Sequence, residues 1–211
     1  SKLLKQKIKL IGAGRTDAGV HALEQSAHFD TNLKIKDKKK LLNSLNFFLN
    51  KKLISIITIK RKNNKFHSRY SAKFRIYKYI IFNRDSNPSI YKNKGWHIKK
   101  KIDIKLLKSG ANLLVGKNDY SAYRASTCSS KSPIRTINYV KVTKKRKTIV
   151  LKFKSQSFLQ QQVRSMVGCL KYLGEEKWSL TQFKKAFSSK DRTKCAPPAP
   201  ACGLYLDKVK Y

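Results

Sequence analysis

The sequence places Gly14-Arg15-Thr16-Asp17-Ala18-Gly19-Val20-His21 in a chain that carries very little other negative charge. Only 11 of the 211 residues are Asp or Glu, whereas 49 are Lys or Arg. The glycines on either side of Asp17 allow the backbone of such a turn to approach a ligand closely. An aspartate held beside a guanidinium, here that of Arg15, stays ionised and can act as a nucleophile, a base or a charge stabiliser. Taken alone, the same aspartate could instead tie a turn or cap a helix through its own backbone.

The composition favours a globular protein that binds a polyanion. Hydrophobic residues make up 40% of the chain and aromatic residues 10%, which is typical of a folded domain. The formal net charge of +38 makes nucleic acid the first candidate partner. A compositional bias of the genome could supply part of the lysine excess, but it does not explain why acidic residues are scarce.

The same composition argues against several other classes of protein. No apolar run reaches the length of a membrane span, and the first residues do not resemble a signal peptide. The four cysteines lack a C-x-x-C pair and the four histidines are scattered, which argues against a zinc site. We therefore expect no zinc site, no membrane association, reduced thiols and a cytoplasmic location.

Hydrophobic periodicity predicts alternating strands and helices. In the first part we expect strands at Lys7–Ile11, Gln25–Asp30 and Leu53–Lys60, and a helix that begins at Asp37. In the second part we expect strands at Ala72–Phe82 and Gly203–Val209, a hairpin of Ile137–Val142 with Thr148–Phe153, and helices starting at Asp103 and spanning Leu159–Leu173 and Leu180–Phe187. This mixture predicts an α+β protein with two halves packed side by side.

Four further segments could carry function, although each has an ordinary structural explanation. Basic and aromatic residues alternate from Phe66 to Tyr79, which suits phosphates and stacked bases but also fits an amphipathic strand. The segment Ser129–Thr136 could contact phosphates or be a plain surface loop. Arg164 follows the apolar Val163 on a predicted helix, so it could point into a cleft or into solvent. The segment Ala199–Leu206 is typical of a core element.

The order of these segments resembles the TruA family of tRNA pseudouridine synthases. The resemblance runs from about Ile11 to Tyr211. The motifs that carry it are G-A-G-R-T-D-A-G-V-H-A, R-Y-S-A followed by R-I-Y-K-Y, S-x-S-P-I-R-T-I, F-L-x-x-Q-V-R-x-M-V-G and A-P-P-A-P-A-C-G-L-Y-L. The R-T-D-A-G-V-H string is highly specific, and the order of the motifs leaves little room for coincidence.

The resemblance implies a role for each matching residue. It makes Asp17 the catalytic aspartate, with Arg15 in the same loop and Arg164 as the arginine that pairs with the carboxylate. It makes Tyr77 the aromatic residue that stacks on the target uracil and Leu204 the apolar residue that lines the uracil pocket. We add three basic residues of the matching motifs as candidates for substrate binding: Arg69, Arg75 and Arg135.

The resemblance also implies a fold and an activity. The expected fold is two similar α+β halves, residues 1–66 and 67–211, with mixed, mainly antiparallel sheets, helices on one face and a central catalytic cleft. The expected activity is isomerisation of uridine to pseudouridine in the anticodon stem-loop of tRNA, at positions 38–40, without cofactor or metal. Two chains are expected to form a homodimer that holds the anticodon arm.

The start of the chain departs from the family pattern. Family members begin with a strand that carries a Y-D-G-x-x-F-x-G-W-Q-like motif, followed by a helix, whereas Ser1 corresponds to a position near the end of that helix. The resemblance therefore predicts an N-terminal truncation, and a lost strand would leave backbone groups unpaired and the catalytic cleft incomplete.

Two other functions explain the sequence less completely. A non-catalytic RNA-binding protein, such as a ribosomal or assembly factor, would account for the charge and the aromatic residues but not for a glycine-flanked aspartate beside arginine. A metal-dependent nuclease would need more carboxylates than the chain offers to hold its ions.

Overall fold

The structure is a computed structural model that describes residues 3–211. The described residues group into two compact units. The first comprises residues 3–13 and 26–71, and the second comprises residues 14–25 and 72–211. The loop that contains Asp17 therefore belongs with the second unit. The expected division into similar halves of residues 1–66 and 67–211 stays a prediction.

Residues 3–211 contain nine strands and four α-helices, in the following order. They are β1 Ile11–Gly12, β2 His21–Ala22, β3 Ala27–His28, α1 Lys38–Leu49, β4 Phe74–Asn83, β5 Trp96–Ile98, α2 Ile104–Leu113, β6 Gly116–Asp119, β7 Ile134–Lys145, β8 Thr148–Ser155, α3 Gln162–Gly174, α4 Leu180–Ser188 and β9 Leu204–Lys210.

The first unit is small and contains one helix. β1 pairs antiparallel with β3, so the predicted strand at Lys7–Ile11 is confined to its last residue and Gly12. α1 begins where the sequence predicts it, because the carboxylate of Asp37 accepts a hydrogen bond from the Lys40 backbone amide at 2.9 Å.

The predicted strand at Leu53–Lys60 is wrong. These residues belong to no strand of the described chain. Instead, the Asn46 side chain makes two hydrogen bonds with the backbone of Ile56. It donates to the Ile56 carbonyl at 2.9 Å and accepts from the Ile56 amide at 2.6 Å. At Ile56 a side-chain amide thus makes the two hydrogen bonds that a neighbouring strand could make. The β-branched composition of the segment was therefore misleading.

The second unit is built on a seven-stranded sheet with the order β2-β9-β4-β8-β7-β6, and β5 pairs with β4. β4, β6, β7, β8 and β9 pair antiparallel, whereas β2 lies parallel to β9 and β5 lies parallel to β4. This confirms the predicted α+β class with a mixed, mainly antiparallel sheet. The predicted hairpin is β7 and β8, with Arg146 in its turn at a φ of 54°.

One face of this sheet packs against α2, α3 and α4. Leu107 of α2, Met166 of α3 and Phe183 of α4 are fully buried in one core with Tyr79 and Phe153 of the sheet. α2 begins at Asp103, as predicted, because the Asp103 carboxylate accepts from the Leu106 backbone amide at 2.9 Å.

α3 begins three residues later than the predicted Leu159. Gln161 adopts a left-handed backbone conformation with a φ of 59°, which interrupts the helical path. The side chain of Gln162 then accepts a hydrogen bond from the Leu159 backbone amide at 2.8 Å. The apolar stripe is therefore continuous in the sequence although the helix starts within it.

Candidate active site

Asp17 lies in a tight turn that is attached to the sheet of the second unit. The Val20 amide donates to the Asp17 carbonyl at 3.1 Å, and Gly19 between them has a φ of 80°. A positive φ at the third position of such a turn favours glycine, which explains the glycine two residues after Asp17. After the turn, β2 pairs with β9, and the Leu23 amide donates to the Leu206 carbonyl at 2.9 Å. The aspartate is thus presented from a loop with a fixed end.

The partner of Asp17 is Arg164, near the start of α3. Nη1 of Arg164 donates to Oδ2 of Asp17 at 2.9 Å. The pair is neither fully buried nor fully exposed, since the side chain of Arg164 is 17% exposed and that of Asp17 is 32% exposed. A reactant can therefore reach the carboxylate, while its position is set by the guanidinium.

A second hydrogen bond orients the guanidinium. Nε of Arg164 donates to the Ala199 carbonyl at 2.8 Å, and the Ala199 amide donates back to the Arg164 carbonyl at 3.0 Å. Ala199 belongs to the proline-rich segment Pro197–Pro200. α3 approaches this segment so closely that a Cβ at Gly168 would overlap the Pro197 carbonyl. Arg164 is therefore held on two sides, by the proline-rich segment and by the Asp17 loop.

Tyr79 of β4 holds the proline-rich segment against the sheet. Its hydroxyl donates to the Pro200 carbonyl at 2.8 Å, and the ring is completely buried. Gly203 allows this approach, because a Cβ there would clash with the Tyr79 ring. Sequence reasoning missed this role, although the spacing of Tyr77 and Tyr79 on one strand already placed them on the same face.

Tyr77 lies on the same face of β4 and is half-buried. Its ring meets that of Phe158 edge to face, with centroids 5.3 Å apart. Burial raises the pKa of Tyr77; the nearby charge of Arg75 lowers it and that of Asp17 raises it. The ring is therefore neutral at physiological pH and lies within electrostatic reach of the aspartate.

Three other predicted residues of this unit have different surroundings. Arg75 is buried and donates through Nη1 to the Gln156 carbonyl at 2.6 Å. Leu204 is buried in the core and pairs with Tyr79 in the ladder between β4 and β9. Arg15 is exposed and, within residues 3–211, makes neither a hydrogen bond nor an ion pair. The ion pair expected from the sequence neighbour of Asp17 is thus made by Arg164.

Arg135 and Arg69 have other partners in their own surroundings, which differ from those of the Asp17–Arg164 pair. Nη1 of Arg135 donates to the Ser132 and Ile134 carbonyls at 2.9 and 2.6 Å, so its side chain folds onto its own loop. Arg69 belongs to the first unit, where its guanidinium lies 5.6 Å from the centre of the Tyr70 ring.

Residues 3–211 form neither a cluster of metal ligands nor a helix that could span a membrane. No three His, Cys, Asp or Glu side chains there come together in a way that could hold a metal ion. No helix in the same range is both long enough and apolar enough to cross a bilayer.

Comparisons with known proteins identify the family. A sequence profile for "tRNA pseudouridine synthase" matches residues 111–211. The chain is 60% identical to tRNA pseudouridine synthase A of Pelagibacter ubique over 211 residues, which cover 100% of this chain and 86% of that protein. The chain belongs to the tRNA pseudouridine synthase A family.

Two more distant members of the tRNA pseudouridine synthase A family align over almost the same length. Identity is 39% to the Neorickettsia sennetsu protein, covering 100% of this chain and 86% of that protein. Identity is 38% to the Caulobacter vibrioides protein, covering 98% of this chain and 83% of that protein. The alignments therefore include the Asp17 loop as well as the region that the family profile matches.

We predict that Tyr79 positions the Asp17–Arg164 pair in this family member. Replacing Tyr79 by Phe removes the hydrogen bond to Pro200 and keeps the ring. The turnover number for tRNA should fall about 3- to 10-fold with KM unchanged, and the free energy of unfolding should fall by about 1 kcal/mol. Steady-state kinetics and urea unfolding measure the two effects.

Tyr205→Phe is the matched control, because the Tyr205 hydroxyl also donates to a loop carbonyl, that of Lys94, at 2.7 Å. It should lower stability by a similar amount and leave the turnover number unchanged. A wild-type turnover number in Tyr79→Phe would contradict the positioning role.

Proposed function

We propose that this protein isomerises uridine to pseudouridine in the anticodon stem-loop of tRNA, at positions 38–40. Its family consists of isomerases that act on tRNA. The observation that carries the proposal for this chain is the partly exposed Asp17 carboxylate, held at 2.9 Å by Arg164 within electrostatic reach of a half-buried tyrosine. The stem-loop position rests on the resemblance of the sequence motifs.

The reaction breaks the bond between N1 of uracil and C1′ of ribose and forms a bond between C5 and C1′. No atoms are gained or lost overall, so the protein has to supply only positioning, charge and proton transfer. Asp17 is proposed as the group at the reacting sugar or base. Three routes fit its position: attack on C1′, attack on C6 of the uracil, or removal of a proton from the sugar. Arg164 would hold the carboxylate in the same orientation in each of them.

Tyr77 is proposed as the stacking partner of the everted uracil. A uridine in a stem must leave its stack to be isomerised, which costs a few kcal/mol, and stacking on an aromatic ring offsets about 1–3 kcal/mol of this. The edge-to-face contact with Phe158 fixes the Tyr77 ring. Leu204 lies behind these rings in the core and is proposed to support the apolar wall of the uracil pocket.

The remaining arginines are proposed to bind the substrate or to support its site. Arg15 is exposed beside Asp17 and is free to contact the backbone of the target nucleotide. Arg69, Arg75 and Arg135 are proposed to contribute to substrate binding. Arg75 would do so by fixing the floor of the site, because it is buried.

The proposal also includes a homodimer that binds the anticodon arm and a cytoplasmic location. The four free cysteines are consistent with a reducing compartment.

The assignment of Asp17 predicts a protein that binds without reacting. Asp17→Ala should bind unmodified tRNA with an affinity within about 3-fold of wild type, because phosphate contacts dominate affinity. Pseudouridine formation should fall at least about 10⁴-fold, because the essential nucleophile or base is missing. Filter binding and mapping of pseudouridine in a tRNA transcript measure the two effects.

Asp85→Asn serves as the control, because Asp85 is an exposed carboxylate of the same unit. It should retain wild-type activity and affinity. Detectable product from purified Asp17→Ala would contradict the assignment, and wild-type protein that binds tRNA without modifying it would favour a non-catalytic RNA-binding protein.

The assignment of Tyr77 predicts a different division between binding and turnover. Tyr77→Leu should lower single-turnover pseudouridine formation about 100-fold while weakening tRNA binding less than about 5-fold. Tyr77→Phe, which keeps the ring, should retain most of the rate. A collapse of affinity in Tyr77→Leu would mean that stacking, rather than phosphate contact, anchors the RNA.

A further inference from the structure

The second unit exposes a cationic sheet face on the side opposite to α2, α3 and α4. Side chains alternate between the two faces of a strand. Tyr79 and Ile81 of β4 are buried beneath the helices, so Lys78 lies on the other face. Lys152 of β8 alternates in the same way with the buried Leu151 and Phe153.

Three lysines lie in one row across the centre of this face. Lys152 is directly opposite Lys78 of β4 on one side and Lys141 of β7 on the other. Like charges directly opposite each other destabilise a sheet. Asp207 compensates two of them, with carboxylate oxygens 3.4 Å from Nζ of Lys78 and 3.2 Å from Nζ of Lys152. Within residues 3–211, Lys141 has no carboxylate partner.

Aromatic rings lie among these ammonium groups. Nζ of Lys154 is 4.0 Å from the centre of the Phe74 ring, and Nζ of Lys141 is 5.3 Å from that of Tyr139. Lys154 is opposite Tyr139 in the ladder, so a ring and a cation lie side by side in the row next to the three lysines. Cations held over aromatic rings on an open sheet are the kind of surface that binds the backbone and bases of RNA.

Strand β9 extends the excess of positive charge. Lys208 is opposite Ile76 and Lys210 is opposite Phe74, on the same face as the row of lysines. The proximity of Lys208 lowers the pKa of Lys210, while Glu24 lies 3.8 Å from Nζ of Lys208. Together these residues form the lysine face, which consists of Lys78, Lys141, Lys152, Lys154, Lys208 and Lys210. Among the described side chains, only the carboxylates of Asp207 and Glu24 form ion pairs with these six lysines.

We propose that this lysine face binds the phosphate backbone of the substrate tRNA outside the stem that carries the target uridine. The proposal rests on the proposed function in taking tRNA as the substrate. A row of three lysines on adjacent strands spans about 10 Å, which matches two or three phosphates of one strand. Asp17 and Arg164 lie on the helix side of the sheet, so the RNA on the lysine face is not the target stem.

A second copy of the chain fits the face less well than RNA. In a symmetric dimer the same patch would meet itself, and its ammonium groups would face one another. Phosphates instead neutralise the unpaired cations and release counterions, which makes the contact strongly dependent on salt.

The test is a triple variant, Lys141→Gln, Lys152→Gln and Lys154→Gln, that keeps Lys78 and its contact with Asp207. The affinity for full-length tRNA should fall about 10-fold or more near 0.15 M salt, and the slope of log K against log salt should become shallower by about 2–3. The KM for tRNA should rise by a similar factor.

The matched control removes three exposed lysines of the helix side, Lys105→Gln, Lys108→Gln and Lys184→Gln. It lowers the net charge equally and should change the salt slope much less. Equal loss in the two triple variants would overturn the proposal, because net charge alone would then explain binding. If light scattering shows that the triple variant of the lysine face changes the oligomeric state while tRNA binding is retained, the proposal is overturned in favour of an interface between copies.

A second measurement uses the unaltered protein. With acylating reagent and mass spectrometry, bound tRNA should protect Lys141, Lys152 and Lys154 at least about 5-fold more than Lys105, Lys108 and Lys184. Uniform protection would overturn the proposal. If the wild-type protein binds tRNA but forms no pseudouridine, the proposed function fails, whereas this footprint still tests the lysine face.

Discussion

The ion pair between Arg164 and Asp17 is the contact on which the site depends. It joins the glycine-bounded loop to the first turn of α3, and Nε of Arg164 joins both to the Ala199 carbonyl. An ion pair at the surface contributes only about 0–1 kcal/mol to stability, so this pair does little for the fold. Its effect is on the orientation of the Asp17 carboxylate, because a planar guanidinium bonded to two partners holds that carboxylate in a defined position. The buried Tyr79 and the close packing at Gly168 hold the Ala199 segment in place.

The sequence was most informative where short-range chemistry sets the structure. The capping residues Asp37 and Asp103 predicted the starts of two helices, and alternation predicted β4 and the hairpin of β7 and β8. Long-range partners were harder to predict. The strand expected at Leu53–Lys60 does not form, and the backbone of Ile56 is bonded instead to the Asn46 side chain, a contact that no local pattern could have revealed.

The same distinction applies to the site. The R-T-D motif identified Asp17, and the family resemblance added Arg164 and Tyr77, which the structure brings near it. The sequence suggested Arg15 as the charge partner because it is two residues away, but the guanidinium that contacts Asp17 is 147 residues away in the chain. The role of Tyr79 depends on the path of the proline-rich segment, which only the fold determines.

The two faces of the central sheet differ in their chemistry. Its helix-covered face supplies an apolar floor, with Tyr77 and the Arg164–Asp17 pair at its border. Its opposite face carries lysines in register, a costly arrangement for a sheet unless an anion is present. A chain with a net charge of +38 attracts RNA from every direction, so specificity has to come from where charges are fixed rather than from their number.

The most direct measurement is the single-turnover rate of pseudouridine formation at saturating tRNA in Arg164→Met and Arg164→Lys. Neither side chain can contact Asp17 and Ala199 together in a planar fork. The account predicts that both rates fall about 100-fold or more, with the affinity for tRNA within a few-fold of wild type and the circular dichroism spectrum unchanged. A wild-type rate in Arg164→Met would contradict it, because the carboxylate would then need no guanidinium to hold it in place.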